Sequence, residues 1–362
     1  MFHTDLTILV GPEDGQRLKA IDSVDAPRLD YRLVADRCRG VIQECYPSPT
    51  ALHGPKPVRL LRSVCGNLGL ATRLVKSARP GSVIYSTGET WGLPVAIAGA
   101  LLGRRSFLHI VYVHRVYSRL WLQMLRWLRS FLHVDGWICI TEFQARLLRE
   151  TLGQRRVPIS VIPQGVDTTF FAPCQAREEG TSGYLLSIGA EMRDYSVLLD
   201  AARSLNTEVI VKASSTWMSG TRQRVTSLPP NVKLITEHVS YPELRDLYAG
   251  AALVVLPLVD TPQAAGITTI FEALAMEKCV VATRSRGLPD ALVDGHTAVI
   301  AEPKSEELAK AISSLLPQPE TARHIGSNGH RVARQELSLA AHALAVEHCI
   351  QQVVQQATPR TV

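Results

Sequence analysis

Short apolar runs alternate with segments of helical spacing along most of the chain. The runs are rich in β-branched residues and almost continuously apolar, which is typical of strands buried on both faces. Segments such as TEFQARLLRETLG and DYSVLLDAARSL carry apolar residues at helical spacing between them. The predicted strands begin at Leu6, Ser82, Phe107, Trp137, Ile159, Tyr184, Glu208, Val232, Ala252, Cys279 and Thr297.

This alternation predicts an α/β fold of two doubly wound, Rossmann-like domains, because strand–helix alternation gives parallel sheets covered by helices on both faces. We place the N-terminal domain at residues 1–165, the second domain at 166–345 and a C-terminal helix or tail at 346–362, which packs back on the N-terminal domain. The turn-rich stretch from Pro163 to Gly183 sets the central boundary. Ligands of such sheets bind at the carboxyl ends of the strands, so the cleft between the domains is the expected site.

The N-terminal region contains the segments that are hardest to interpret. Residues 19–75 show no clear strand pattern, and the Pro- and Gly-rich stretch from Pro47 to Pro57 predicts a loop. The apolar segment Trp91 to Gly103 is shorter than the roughly 20 residues that cross a bilayer, so it predicts a buried helix. The first residues lack the pattern of a signal peptide, and we expect a cytoplasmic protein.

Composition and charge narrow the range of partners. The 362 residues are 46% hydrophobic and 20% charged, as in ordinary globular proteins. The net charge of +6 indicates an acidic partner such as a nucleotide phosphate or lipid headgroup, or simply a solvated basic surface. No nucleic-acid motif is present and only 6% of residues are aromatic, which argues against nucleic acid. Seven cysteines without a CxxC predict neither a disulfide framework nor a zinc site.

The segment from Asp260 to Ile300 is the strongest candidate for a binding site. A loop with Gly266 follows a predicted strand, and a helix begins near Thr268. Free amides at a helix N-terminus can hold a phosphate, helped by the helix dipole. Glu272, one turn further, could accept hydrogen bonds from ribose hydroxyls. From these residues alone, a capped amphipathic helix with Glu272 in solvent is the simpler interpretation.

The same segment resembles the donor-binding signature of retaining GT-B glycosyltransferases of the bacterial group 1 type. The matching runs are Glu272-Ala-Leu-Ala, Cys279-Val-Val-Ala, Gly287-Leu-Pro-Asp and Asp294-Gly. Three upstream segments are also similar to the family: DGWICITEFQARLLRE from Asp135, VIPQGVDTTFFAP from Val161 and YLLSIGAEMRDYSVLLDAA from Tyr184. Each motif is short, but their order and spacing cover most of residues 82–345.

The resemblance implies a retaining glycosyltransferase that moves a sugar from a nucleotide-diphosphate donor to a glycan or lipid-linked acceptor, with no metal or other cofactor. It implies that Arg193 contacts the donor diphosphate and that His114 lies near the donor sugar; these two are the predicted catalytic residues. A surface Arg193 paired with Asp194 is the alternative, and His114 could equally be a structural histidine. The predicted donor-binding residues are Gln263, Gly266, Ile267, Thr268, Thr269, Glu272 and Lys212.

Two other positions are candidates because they follow strands. Lys212 ends a predicted strand and offers a second cation for the donor. Glu89 ends another and could either touch the acceptor or lie in solvent.

The chain departs from the family pattern at two positions. The first glutamate of the family's spaced pair would fall at Ala264, beside Gln263, and Gln164 replaces an asparagine in the interdomain segment. The incomplete pair motivates an alternative function, a catalytically inactive GT-B-like partner or regulatory protein. A nucleotide-sugar epimerase is a further alternative, although no acid/base carboxylate set for it is visible.

Residues 115–133 combine arginines with tryptophan and leucine at helical spacing. A basic amphipathic helix of this kind can lie on an anionic membrane surface, so we expect peripheral contact with the inner membrane face. The alternative is a helix that packs on the core and exposes its arginines to solvent.

Overall fold

The computed structural model describes residues 5–12, 25–45, 56–103, 106–114, 119–128, 131–153, 157–174, 183–213 and 228–357. These residues form two compact units, each built on its own sheet. The first unit contains residues 5–12, Arg28–Gly165 and the chain from Leu339 onward, and the second contains Val166–Ser338. Residues 25–27 cluster with the second unit.

The first unit contains a six-stranded parallel sheet with strand order β2-β1-β3-β4-β5-β6. Its strands are β1 Leu6–Val10, β2 Val41–Glu44, β3 Val83–Ser86, β4 Leu108–Val113, β5 Gly136–Cys139 and β6 Ile159–Val161. Its helices are α1 Asp30–Cys38, α2 Lys56–Ser77, α3 Glu89–Leu101, α4 Arg119–Leu128 and α5 Glu142–Leu152, with a last helix from the end of the chain.

The second unit contains a parallel sheet of the same size with strand order β12-β11-β10-β7-β8-β9. Its strands are β7 Tyr184–Ile188, β8 Val209–Lys212, β9 Val232–Ile235, β10 Ala251–Leu256, β11 Cys279–Thr283 and β12 Val299–Ala301. Its helices are α6 Tyr195–Ala202, α7 Tyr241–Gly250, α8 Ile267–Ala275, α9 Ser305–Leu315 and α10 Pro319–Gln335.

Burial of the central strands explains why the apolar pattern predicted them so well. Every residue of β3, β5, β7 and β11 is buried, as expected for parallel strands covered on both faces. The prediction of two doubly wound α/β domains is confirmed, and each predicted strand is present. The segment Trp91 to Gly103 lies mostly in α3, whose buried residues include Val95 and Ala98, so the prediction of a buried helix is confirmed.

One strand was missed, β2, in the region where the sequence showed no clear pattern. Its residues Val41–Glu44 lie at the edge of the sheet, and none of them is fully buried. An edge strand with one neighbour needs no continuous apolar run, so it leaves little trace in the sequence. Most of the loop predicted from Pro47 to Pro57 lies outside the described residues, and Lys56 and Pro57 open α2.

The last helix, α11, spans Leu339–Ala357 and belongs to the first unit. It begins upstream of the boundary expected at residue 345. Arg37 of α1 donates two hydrogen bonds to Glu347 at 2.6 and 2.8 Å, and His342 Nδ1 lies 2.7 Å from the carbonyl oxygen of Pro163. In the described part of the chain, no helix is long and apolar enough to cross a membrane.

Candidate active site

The N-terminus of α8 forms the centre of the candidate site in the second unit. Gly266 precedes the helix with φ +75°, a left-handed conformation that glycine adopts without strain. No side chain caps the helix, and no acidic residue lies in its first turn. The amides of the first turn have no intrahelical acceptor, so Ile267, Thr268 and Thr269 present donors suited to an anion.

Arg193 lies directly beside this helix end. Its Nη2 is 3.4 Å from Thr269 Oγ1, and a Cβ on Gly266 would lie 3.2 Å from its Nη1. Nε and Nη2 donate to the Ile188 carbonyl at 3.3 and 3.1 Å, and Nη1 donates to the Glu191 carbonyl at 3.0 Å. These bonds to neutral oxygens fix the guanidinium against the first turn of α8.

The charge of Arg193 is not balanced by an ion pair with any described residue. The side chain is only 7% exposed, and no carboxylate among the described residues lies within ion-pair distance of it. Burial lowers the pKa of the Arg193 guanidinium, although arginine stays charged at neutral pH. Asp194 caps α6 instead, accepting from the amide of Val197. The surface pair with Asp194 is therefore excluded, and a buried cation without a counterion favours an anionic ligand.

The loop that carries Arg193 is held in an unusual backbone conformation. Met192 has φ +55°, which is uncommon for a residue with a side chain. Its carbonyl accepts from Val259 N at 3.1 Å, and Asp194 N donates to the Pro257 carbonyl at 2.5 Å. These bonds tie the loop after β7 to the loop after β10, which brings Arg193 to α8.

Glu272 lies inside α8 and is 7% exposed, so the interpretation that places it in solvent is wrong. The phenol of Tyr248, from the last turn of α7, lies 2.8 Å from its Oε2. A buried carboxylate requires such a partner, because its desolvation is otherwise costly. Sequence reasoning missed Tyr248, since it lies 24 positions away and nothing local marks it.

Gln263 is buried in the loop before α8 and contacts the loop after β7. Its Nε2 donates to Glu191 Oε1 at 2.7 Å. A Cβ on Gly287 would lie 1.8 Å from the Gln263 carbonyl oxygen, so only glycine fits against this loop. Beside Ala264, where the family signature has an acid, the chain thus places an amide and the carboxylate of Glu191.

Lys212 ends β8 next to the same loop. Its carbonyl accepts from Gly189 N at 3.0 Å, and it pairs with Ile188 in the sheet. The second unit therefore brings Arg193, Gln263, Glu272, Lys212 and the first turn of α8 to the carboxyl ends of its strands.

His114 follows β4 in the first unit. Its Nε2 lies 2.9 Å from the Thr87 carbonyl, which can only accept, so Nε2 carries a proton. In the neutral ring Nδ1 is then an acceptor. The carboxyl ends of β3 and β4 are adjacent in the sheet, which brings Thr87 and His114 together.

Glu89 and Gln144 hold the backbone of His114 from both sides. Glu89, 9% exposed, accepts from His114 N at 3.0 Å, and Gln144 donates from Nε2 to His114 O at 2.9 Å. The interpretation that places Glu89 in solvent is wrong. Gln144 was missed, although the spacing of Thr141 and Gln144 marks the start of α5.

Comparisons with known proteins follow this division into two units. A family profile described as Glycosyltransferase Family 4 matches residues 27–170, and one described as Glycosyl transferases group 1 matches residues 183–318. Sucrose-phosphate synthase from Thermosynechococcus elongatus has a similar structure, with a TM-score of 0.75 and 16% identity over 98% of this chain and 100% of that chain. HepE from Anabaena, solved in complex with UDP-glucose, has a TM-score of 0.69 and 17% identity over 99% of this chain and 100% of that chain.

Two relatives match part of the sequence. The MMP alpha-(1->4)-mannosyltransferase of Mycolicibacterium hassiacum is 30% identical over 52% of this chain and 47% of its own length. The alpha-maltose-1-phosphate synthase of Mycolicibacterium smegmatis is 23% identical over 50% of this chain and 54% of its own. The chain thus spans about half the length of the curated relatives it matches.

Two parallel, Rossmann-like α/β units give the GT-B class of fold, which these structural neighbours share. The two profiles together match most of the chain, one in each unit. The chain belongs to the group 1 glycosyltransferases.

Proposed function

We propose that this protein is a retaining glycosyltransferase whose second unit binds a nucleotide-diphosphate sugar. The observation that carries this proposal is the buried Arg193 guanidinium, which lies at the N-terminus of α8 without a described carboxylate partner. The diphosphate supplies the missing negative charge, and the first-turn amides of α8 add hydrogen bonds to it. Glu272 then accepts from the ribose hydroxyls.

Arg193 also provides the chemistry of the transfer. As the bond between sugar and diphosphate breaks, negative charge grows on the leaving diphosphate. A guanidinium held by carbonyls and a helix dipole is already oriented toward that charge, so it stabilises the transition state more than the bound donor. This positive charge supports a transfer in which no metal ion is required.

His114 and the first unit serve the sugar and the acceptor. The fixed tautomer leaves Nδ1 of His114 as an acceptor for a sugar hydroxyl. Glu89 acts through His114, because its described contact is with the His114 amide.

The face of α4 supports a lipid-linked acceptor at a membrane surface. Leu125 is fully buried, whereas Trp127 is 86% exposed, with Met124 and Phe131 also exposed. An exposed tryptophan beside Arg126 is suited to the interface of an anionic bilayer. Residues 115–118 and 129–130 of the predicted helix lie outside the described residues.

Vesicle binding tests this face directly. Sedimentation with phosphatidylglycerol vesicles should carry down the wild type, whereas Trp127→Ser should reduce the bound fraction severalfold. Leu101→Ser, at another exposed apolar residue of the first unit, is the matched control and should bind like wild type. Equal binding by both variants would exclude α4 as the contact.

Nucleotide titration tests the donor site. UDP, GDP and ADP are titrated calorimetrically without metal into wild type, Glu272→Ala and the exposed control Glu320→Ala. One nucleotide should bind wild type and the control with equal affinity. Its affinity for Glu272→Ala should be at least about tenfold lower, because a hydrogen bond to a charged group is lost. The structural neighbour with UDP-glucose and the relative named as a mannosyltransferase make UDP-glucose and GDP-mannose the first donors to assay.

The outcomes separate the two candidate functions. Binding followed by sugar transfer establishes the glycosyltransferase. Folded wild type that binds none of the nucleotides would overturn the donor site and favour the non-catalytic partner protein.

A further inference from the structure

Tyr248 is a buried polar residue that the proposed function does not yet use. It belongs to the last turn of α7 and is completely shielded from solvent. Its hydroxyl lies 2.8 Å from Glu272 Oε2 and 3.5 Å from the Thr269 carbonyl oxygen. Burial, followed by the nearby Glu272 carboxylate, raises the pKa of the Tyr248 phenol, so it stays protonated and donates to the carboxylate.

The ring of Tyr248 is itself held in place. Phe171, 2% exposed, meets it edge to face at a centroid distance of 6.1 Å and an interplanar angle of 90°. Such a pair is a favoured aromatic arrangement. A ring packed in this way aims its hydroxyl at one point, and that point is the carboxylate of Glu272.

The same turn of α8 connects the carboxylate to Arg193. The Thr269 hydroxyl accepts a hydrogen bond from Arg193 Nη2 at 3.4 Å. The Thr269 carbonyl lies near the Tyr248 hydroxyl. One residue of the helix is thus flanked by the cation on one side and by the phenol on the other. A diphosphate at Arg193 and a ribose at Glu272 would be separated by this fixed turn.

We propose that Tyr248 is a positioning residue that holds Glu272 in the orientation that accepts the ribose hydroxyls of the donor. Tyr248 cannot touch a ligand, because no part of it is exposed. It acts by fixing one carboxylate oxygen, so that the carboxylate is ordered before the nucleotide arrives. This inference rests on the proposed function, since it needs a nucleotide at α8.

The test measures how much the ribose hydroxyls contribute to binding. UDP, GDP and ADP are compared with their 2′,3′-dideoxy counterparts by calorimetry. For the nucleotide that binds wild type, removing both hydroxyls should weaken binding about 10- to 100-fold, as expected for hydrogen bonds to a charged acceptor. In Tyr248→Phe this ratio should fall to about threefold or less, while the dideoxy nucleotide binds as before.

Tyr184→Phe is the matched control. The Tyr184 phenol donates to the Leu247 carbonyl of the same helix at 2.7 Å, at the start of β7 and away from α8. Losing this hydrogen bond should lower the melting temperature much as Tyr248→Phe does. It should leave unchanged the ratio of the affinities for the nucleotide and its dideoxy counterpart. A purely structural role for Tyr248 would give the two variants the same ratio.

A double-mutant cycle shows whether Tyr248 acts through Glu272. In a Glu272→Ala background, Tyr248→Phe should have no further effect on the ratio. If Tyr248→Phe failed to fold, Phe171→Leu would loosen the ring while keeping the hydroxyl, and an intermediate ratio is expected.

Each contrary outcome has its own meaning. Wild type that binds no nucleotide overturns the proposed function and this inference together. The positioning role alone is overturned if the nucleotide binds, Glu272→Ala abolishes the affinity difference between the nucleotide and its dideoxy counterpart, and Tyr248→Phe leaves that difference intact.

Discussion

Arg193 illustrates at the residue scale how burial changes the meaning of a charge. An exposed arginine in a loop is usually solvated, and its ion pairs contribute little. Here the guanidinium is surrounded by carbonyl oxygens from its own loop and by the hydroxyl of Thr269. No carboxylate in the described part of the chain pairs with it, and this charge supports the proposed binding of an anion.

Replacing Arg193 by glutamine tests that preference. The variant should bind the cognate nucleoside diphosphate about 10- to 100-fold more weakly, because it loses charge-assisted bonds of about 1.5–3 kcal/mol, and should bind the nucleoside itself unchanged. Arg203→Gln, at an exposed arginine that pairs with Asp200, should bind both ligands like wild type. An equal loss for nucleoside and diphosphate would show that Arg193 supports the fold rather than the phosphates.

At the scale of elements, β4 contains a histidine that has no place in the proposed site. His109 is fully buried; its Nδ1 donates to the His133 carbonyl, and its Nε2 accepts from the Ser86 hydroxyl, each at 3.0 Å. Burial lowers its pKa from 6.5 to about 3. The residue is a neutral part of the core, unlike His114 at the end of the same strand.

This histidine makes stability depend on pH. Below pH 6.5 the His109 imidazole is protonated in the unfolded chain, whereas in the folded protein it stays neutral down to about pH 3. Stability is therefore full above pH 6.5 and falls as the pH drops, by about 1.4 kcal/mol per pH unit from this group. Urea unfolding between about pH 5 and pH 7 should show a shallower slope for His109→Gln than for wild type. His348→Gln, at an exposed histidine, should keep the wild-type slope, and identical slopes in all three proteins would contradict the assignment.

The elements also show why the sequence predicts the fold better than the site. Central strands such as β7 and β11 are buried on both faces, so their composition alone reveals them. The N-terminus of α8 was predictable because Gly266 and the apolar run after it are adjacent in the chain. Tyr248 and Glu272, or Glu89 and His114, meet only through the sheet order, which no local pattern encodes.

At the scale of the whole molecule, the chain passes from the first unit to the second and then returns. Helix α11 packs on the first unit through a buried face that includes Val346, Ile350 and Val353. Val353 lies directly over Gly136 of β5, where a Cβ would come within 2.8 Å of its Cγ2. The last helix is thus an integral part of the first unit.

Substitutions on this helix test its importance. Val353→Arg should lower the free energy of unfolding by about 3 kcal/mol or more, because it places a charge in a packed interior, and should make the first unit sensitive to protease. Gln352→Arg, at the exposed neighbouring position, should leave both unchanged. Similar stability of the two variants would show that α11 is dispensable for the first unit.

The return of the chain also sets the order in which the protein can be completed during synthesis. Apart from residues 25–27, the second unit is continuous from Val166 to Ser338, so all of it is translated before α11. The first unit, although its sheet is translated earlier, lacks the cover of α11 until the codons for residues 339–357 are read. The surface around Gly136 therefore waits for α11 while the whole second unit is translated, so the unit whose synthesis begins first cannot finish folding before the other has been made.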